Sequence, residues 1–171
     1  MDKANIYTKK VMEYFKKPKN FGRMKNPDGV GKVGNPVCGD VMWLYIRVGK
    51  DKKNREIIKD ISFETFGCVA AIATSSAITD LAKGKTLEEA MKINREEIVK
   101  SLGGLPPIKV HCSVLAAGAL SEAIYDYLSK KKRKIPKKLE ELHKRIEKEK
   151  KEINEKYKEW TKLEEKMHKR K

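Results

Sequence analysis

The sequence predicts an α+β fold: a small antiparallel sheet of about three strands with helices packed on one side, plus a long C-terminal helix. Two observations carry that prediction. Runs rich in β-branched and aromatic residues fall early, at 41–48 (VMWLYIRV) and 57–66, whereas helix-like runs fall late, and such grouping marks α+β rather than alternating βαβ units. The length of 171 residues, 39% of them hydrophobic, also suffices for one cored domain and an appendage.

Each element follows from its own pattern. Between Asn5 and Phe15, Ile6, Tyr7, Val11, Tyr14 and Phe15 recur at helical spacing until Pro18, Asn20 and Gly22 end the run. Residues 26–36 (NPDGVGKVGNP) read as loop and turn, with a short edge strand around Lys32 and Val33. The strand 41–48 joins the next through a polar connection at 49–54, and the second strand, 57–66, places Ile57, Ile61 and Phe63 on one face. Residues 69–84 form a helix of close-packing alanines stopped by Gly84, Thr86-Leu87-Glu88-Glu89 is a capping box, and Asn94 caps a helix to about Leu102. The last helix of the domain runs from Val114 to Leu128. The domain is thus expected over 1–129, with a basic linker and amphipathic helix over 130–171.

Charge narrows the function classes less than its size suggests. The net charge is +16, but residues 130–171 carry 19 Lys and Arg against 9 Glu, leaving +6 on residues 1–129. Such a surface attracts polyanions or acidic partners, yet no nucleic-acid module accompanies it. No run approaches the ~18 apolar residues of a membrane span, and the N-terminus lacks a signal pattern, so a cytoplasmic protein is expected. Three widely separated cysteines suit a reducing compartment, where clustered cysteine serves metal or catalysis.

The chemistry centres on GGLPPIKVHCS, residues 103–113. A thiol at a helix start beside an ammonium has its pKa lowered, so Cys112, with Lys109 nearby, is expected to lean toward thiolate. Lys109 reads equally as an ordinary solvated lysine. Cys38, Cys68 and Cys112 each stand at the end of a regular element, where a fold brings distant ligands together. With Asp40 or His111 as a fourth ligand they would suit tetrahedral zinc or an iron–sulfur cluster, although without a CxxC pair the spacing alone does not separate a metal site from scattered core cysteines.

The motifs around those cysteines go further. NPVCGD, FETFGCVAAIATSS, KGKTLEEA, LPPIKVHCS and LAAGAL, in this order, resemble the IscU/NifU-type iron–sulfur cluster assembly scaffold family from about Tyr7 to Leu128. The resemblance implies a carrier rather than an enzyme, which assembles a [2Fe-2S] cluster from iron and from sulfur delivered by a cysteine desulfurase and hands it to apo-proteins. It implies Cys38, Asp40, Cys68, His111 and Cys112 as the cluster-binding set, with His111 an alternative ligand or a neighbour of the site. It also implies a loop, Leu105, Pro106, Pro107, Ile108 and Lys109, read by an Hsp70-type chaperone in bacterial and mitochondrial members, where valine usually stands in place of Ile108. Two other readings stand beside it: a zinc-containing sulfur acceptor of the same superfamily, since zinc can substitute at the same ligands, and a basic module that binds RNA or an acidic protein.

The tail departs from that pattern. Pro136, the absence of internal Gly or Pro, and pairs such as Glu140 with Lys144 and Glu147 with Lys151 predict one long helix. Leu139, Ile146, Ile153, Trp160 and Met167 recur every seven residues, with Leu142 and Leu163 in companion positions and Glu149 and Lys156 interrupting. A stripe so thin favours docking on its own domain or on a second subunit over a free rod, and disfavours a two-stranded coiled coil. Because every candidate ligand lies before Ser113, this helix is expected to be dispensable for cluster chemistry.

Overall fold

The computed structural model describes residues 6–35 and 38–169, apart from the side chains of residues 160, 161 and 164. Its elements are helix α1 (Lys9–Lys16), strands β1 (Gly29–Gly34), β2 (Val41–Lys50) and β3 (Glu56–Phe66), helices α2 (Val69–Ala82), α3 (Leu87–Met91) and α4 (Arg95–Ser101), a 3-10 turn (Pro107–Lys109), and helices α5 (His111–Lys130), α6 (Lys137–Lys156) and α7 (Lys158–Lys169). The strands pair antiparallel in the order β1-β2-β3, so the α+β prediction is met. The expected start of the first helix at Asn5 lies outside the described residues, but residues 6–8, also expected to be helical, precede the helix, which begins at Lys9. Thr8 caps α1, its hydroxyl accepting from the Val11 amide at 3.1 Å and donating to the Leu102 carbonyl at 2.6 Å.

Helices α2 and α5 cover one face of the sheet. Met42, Leu44, Ile46, Ile58, Ile61 and Phe63 pack there against Ala73, Ala77 and Ile78 of α2 and Ala116, Ala119, Leu120, Ala123 and Ile124 of α5. Alanines on the helices and glycines on β1 permit a close approach: a Cβ at Gly29 or Gly31 would collide with the carbonyl oxygens of Ala123 and Ala119. This accounts for a strand of six residues where the sequence suggested two, because β1 is made by its partners rather than by propensity.

One strand residue differs from expectation. Arg47 pairs with Asp60 and Val48 with Ile58, leaving Lys59 as the extra residue of a β-bulge. The bulge shifts the alternation by one, so Ile58 is fully buried beside Ile61 and Phe63 while Ile57 is only half-buried. The capping predictions hold: Thr86 and Glu89 form the reciprocal box, and Asn94 accepts from the Glu97 amide. Helix α5 starts at His111, three residues before the expected Val114.

Each outer strand has part of its free side occupied. The Val30 amide of β1 donates to Asp126 of α5 at 2.8 Å. Along β3, Phe63 exchanges bonds with Asn20 and Gly22 (3.0 and 2.8 Å), and Ile58 with Gly84 and Lys85 (2.8 and 2.9 Å).

The tail is two helices instead of one. Tyr157, at φ −124° and ψ 38°, leaves helical geometry and separates α6 from α7. Helix α6 lies on its own domain, against α5 and β1, burying Leu139, Ile146 and Ile153 as the heptad stripe predicts. Beyond the break Leu163 and Met167 are about half exposed, and the predicted contact of Trp160 lies outside the described side chains. Glu140 pairs with Lys144 as expected, whereas Glu147 pairs with Lys150 at 2.6 Å. Helix α7 reaches the second face of the sheet, where His168 stacks on Trp43 with centroids 4.4 Å apart and approaches the Tyr45 hydroxyl at 3.2 Å. Among the described residues no helix is long and apolar enough to cross a membrane.

Glu56, at the start of β3, joins sheet to helix. It accepts from the Tyr127 hydroxyl at 2.6 Å and pairs with Arg133, and these bonds, Tyr127 first, hold its carboxyl below the ordinary 4.5. A depressed folded pKa contributes stability above the unfolded value, lost as pH falls through the folded one. Glu56→Gln should therefore cost about 1–2 kcal/mol at neutral pH and flatten the fall of melting temperature below pH ~4.5. Thermal scans of both proteins from pH 7 to pH 3 check this, and parallel curves would mean that other carboxylates carry the acid limb.

Candidate metal centre

Three element ends meet at one corner of the sheet. Asp40 immediately precedes β2, Cys68 is the N-cap of α2 just after β3, and Cys112 is the second residue of α5. Because Val41 pairs with Phe66, the start of β2 and the end of β3 lie side by side, which carries Asp40 to Cys68. Gly67 then lets the carboxylate in: a Cβ there would stand 3.1 Å from Asp40 Cγ and 2.7 Å from Ala71 Cβ. The α2 and α5 N-termini pack together, so Cys112 completes the corner.

The donor atoms form two overlapping groups that share Asp40. In the first, Asp40 Oδ2 is 3.9 Å from Cys68 Sγ and 4.0 Å from Cys112 Sγ, and the two sulfurs are 4.0 Å apart. In the second, Cys38, Asp40 and His111 offer ligand atoms within 4.8 Å of one another. Asp40 is buried at 9% exposure, Cys112 at 1%, and Cys38 lies at the solvent side. Among the described residues His111 Nε2 is buried without a hydrogen-bond partner, a costly state for an imidazole nitrogen that a cation would relieve. Soft sulfur, imidazole nitrogen and one hard carboxylate are a donor set for iron or zinc rather than for magnesium or calcium. All five residues singled out in the sequence are thus brought together.

The expected lowering of the Cys112 pKa is not found. Burial pushes the thiol well above its ordinary value, and the neighbouring Cys68 and Asp40 push it further. Burial likewise raises Cys38. Desolvation outweighs the helix N-terminus because Cys112 is almost fully buried, with Cys68 and Asp40 packed 4.0 Å from its sulfur, so losing its proton is coupled to arrival of a cation. Lys109 does face the site: its ammonium is held charged chiefly by Cys68, with Tyr7, Cys112 and Asp40 adding to it.

Sequence reasoning missed Tyr7 as a site neighbour. With Leu105 it packs on Ala70, Ala71 and Cys112, walling the thiols on the apolar side, and burial next to Cys68 and Cys112 raises its phenol. An aromatic one residue ahead of a helix cap carries no signal for this, since the contact spans about a hundred residues of chain. Of the 103–113 stretch, Ile108 is 75% exposed on the 3-10 turn while Leu105 is half-buried.

Residues 6–134 match the family model described as NifU-like N terminal domain. The iron–sulfur cluster assembly scaffold protein IscU 1 of Archaeoglobus fulgidus is 58% identical over 125 residues, covering 73% of this chain and 78% of that one. The scaffold protein IscU of Rickettsia prowazekii is 49% identical over 131 residues, 75% of this chain and 96% of its own. Among solved structures, a candidate SUF-system scaffold from Fervidobacterium islandicum AW-1 superposes with a TM-score of 0.56 at 27% identity, over 70% of this chain and 96% of that chain.

Proposed function

Since this chain belongs to the NifU-like N-terminal domain family of iron–sulfur cluster assembly scaffolds, we propose that it builds a [2Fe-2S] cluster from iron and desulfurase-derived sulfur and passes it to apo-proteins. Iron and sulfur are its substrates and the cluster its cargo, and sulfur that arrives as a persulfide takes up two electrons from an external reductant to become cluster sulfide, so the protein is a carrier and not an enzyme. The observation that carries the reading is the sharing of Asp40 between two donor groups that together hold three thiols and an imidazole. Cys38, Cys68 and Cys112 supply soft sulfur ligands, Asp40 the fourth position, and His111 the substitute when Asp40 lets go.

The rest of the corner serves entry and exit. Cys38 stands exposed, suited to meet an incoming persulfide, while Cys112 is enclosed by Tyr7 and Leu105 and suited to retention. Lys109 holds a positive charge beside the thiols, which favours their anionic forms once a cation arrives. The exposed Ile108 next to Pro106 and Pro107 supports recognition of this loop by an Hsp70-type chaperone.

Anaerobic reconstitution with iron and sulfide tests the proposal. Iron and acid-labile sulfide are expected in equal amounts with visible charge-transfer absorption, and Cys112→Ser should lose most of that absorption. Zinc that iron does not displace, with no cluster formed, would point instead to a zinc-bearing sulfur acceptor.

A further inference from the structure

Helix α6 lies beyond the family match at 6–134, yet it reaches the metal corner. Its three buried residues lie at successive depths: Leu139, Ile146 and Ile153. Ile146 sits over Gly118 of α5, 3.5 Å from where a Cβ would stand. Ile153, 8% exposed, sits over Gly34, the last residue of β1, so closely that a Cβ there would be 2.9 Å from its Cδ1. The same spot is 3.6 Å from the Asp40 carbonyl oxygen and 3.8 Å from Val41 Cγ2.

Gly34 pairs with Val41, so the two mark the base of the β1–β2 connection that carries Cys38 and Asp40. At that base the Asn35 amide donates to the Asp40 carbonyl at 2.9 Å, the Gly39 amide to the Asn35 carbonyl at 2.9 Å, and the Cys38 amide to Asn35 Oδ1 at 3.4 Å. Ile153 therefore rests where the two ends of the connection close. Its own helix is held by side-chain contacts between one and three turns earlier. His143 Nδ1 lies 3.0 Å from both oxygens of buried Glu122 and stacks on Tyr125 at 3.8 Å, and Lys150 reaches Glu122 at 3.8 Å. A ligand must stand within about half an ångström of its productive position, and a connection between strands keeps such a position only when something rigid backs it.

We infer that Ile153 is a positioning residue for Cys38 and Asp40, and that α6 is therefore part of the frame of the metal corner. This departs from the expectation that the tail is dispensable for cluster chemistry. The inference rests on the reading that Cys38 and Asp40 are ligands, and one part of its test does not.

In full-length, metal-free protein, amide exchange of the segment 38–42 is followed by mass spectrometry in wild type, Ile153→Ala, Ile146→Ala and Ile153→Leu. Both alanine variants lose a buried side chain of the same helix and should melt at similar temperatures. Exchange in 38–42 is expected to rise at least about fivefold in Ile153→Ala only, with Ile146→Ala near wild type and Ile153→Leu largely restored. Equal exchange in the two alanine variants, raised or not, overturns the inference. Loading with Co²⁺ adds the site readout: thiolate-to-cobalt absorption per metal should fall by about a third in Ile153→Ala, as one of three sulfurs drops out, and stay unchanged in Ile146→Ala. Wild-type protein that takes up Co²⁺ without thiolate absorption would remove the ligand reading itself, while the exchange result would still decide whether Ile153 holds the connection.

Discussion

Asp40→Ala is expected to retain a reconstituted cluster and to transfer it to an apo-ferredoxin about tenfold more slowly, a barrier increase of about 1.4 kcal/mol. The reason is the place of the carboxylate. It stands ~4 Å from two sulfurs and within the second donor group as well, so among the described residues it is common to both groups and, in the proposed function, the ligand able to engage either side of a cluster. A carboxylate bonds iron less covalently than thiolate, protonates as it leaves and swings between one and two contacts, all of which favour release. Without it, His111, whose Nε2 is already buried and unpartnered, is the neighbouring donor able to take the position, and imidazole has no such freedom. Asp40→Cys should retain the cluster more firmly still. Folding is not confounded by the change, because the bond that closes the β1–β2 connection uses the Asp40 backbone carbonyl and survives substitution. Transfer rates under anaerobic conditions decide the matter, and unchanged or faster transfer from Asp40→Ala would show that release is governed elsewhere.

The second large effect is on stability. Ending the chain after Lys134 should lower the melting temperature by at least about 10 °C. Leu139, Ile146 and Ile153 are each more than nine-tenths buried, and each contributes about 1.5–3 kcal/mol of apolar burial, partly offset by the entropy of ordering the helices. At this chain size about 2–4 °C accompany each kcal/mol. Truncation also uncovers Trp43, over which His168 lies. The shortened chain keeps residues 6–134, the whole stretch that matches the family model, with its sheet and the helices packed on it. Calorimetry of both forms tests this, and melting temperatures within about 2 °C of each other would mean that ordering costs cancel what α6 and α7 bury.

What was legible in the sequence was whatever depends on neighbours along the chain. Thr86 and Asn94 announced their helices because a cap bonds residues three positions away. β2 and β3 were legible from their β-branched and aromatic content. The cysteines could be assigned to one corner because each stands at an element end inside a motif that resembles a known family. What escaped was set by contacts distant in sequence. The bulge at Lys59 that exchanges Ile57 for Ile58 has no local mark, and neither does the break at Tyr157 in a run without glycine or proline. The direction of the Cys112 shift was misjudged for the same reason: the helix start is local, whereas the burial and the approach of Cys68 and Asp40 are not.

A three-stranded sheet is small enough that two of its strands are outermost, and an outermost strand is a template on which another molecule can add its own. Here part of that template is already used. The Val30 amide is bound by Asp126, and β3 exchanges bonds with the 20–22 and 84–85 segments of its own chain. If the corner loads and releases a cluster as proposed, its visitors arrive beside strand edges whose backbone is partly engaged within the chain. Crowding or heat that brings copies together therefore finds less free strand edge from which fibrous aggregation could start.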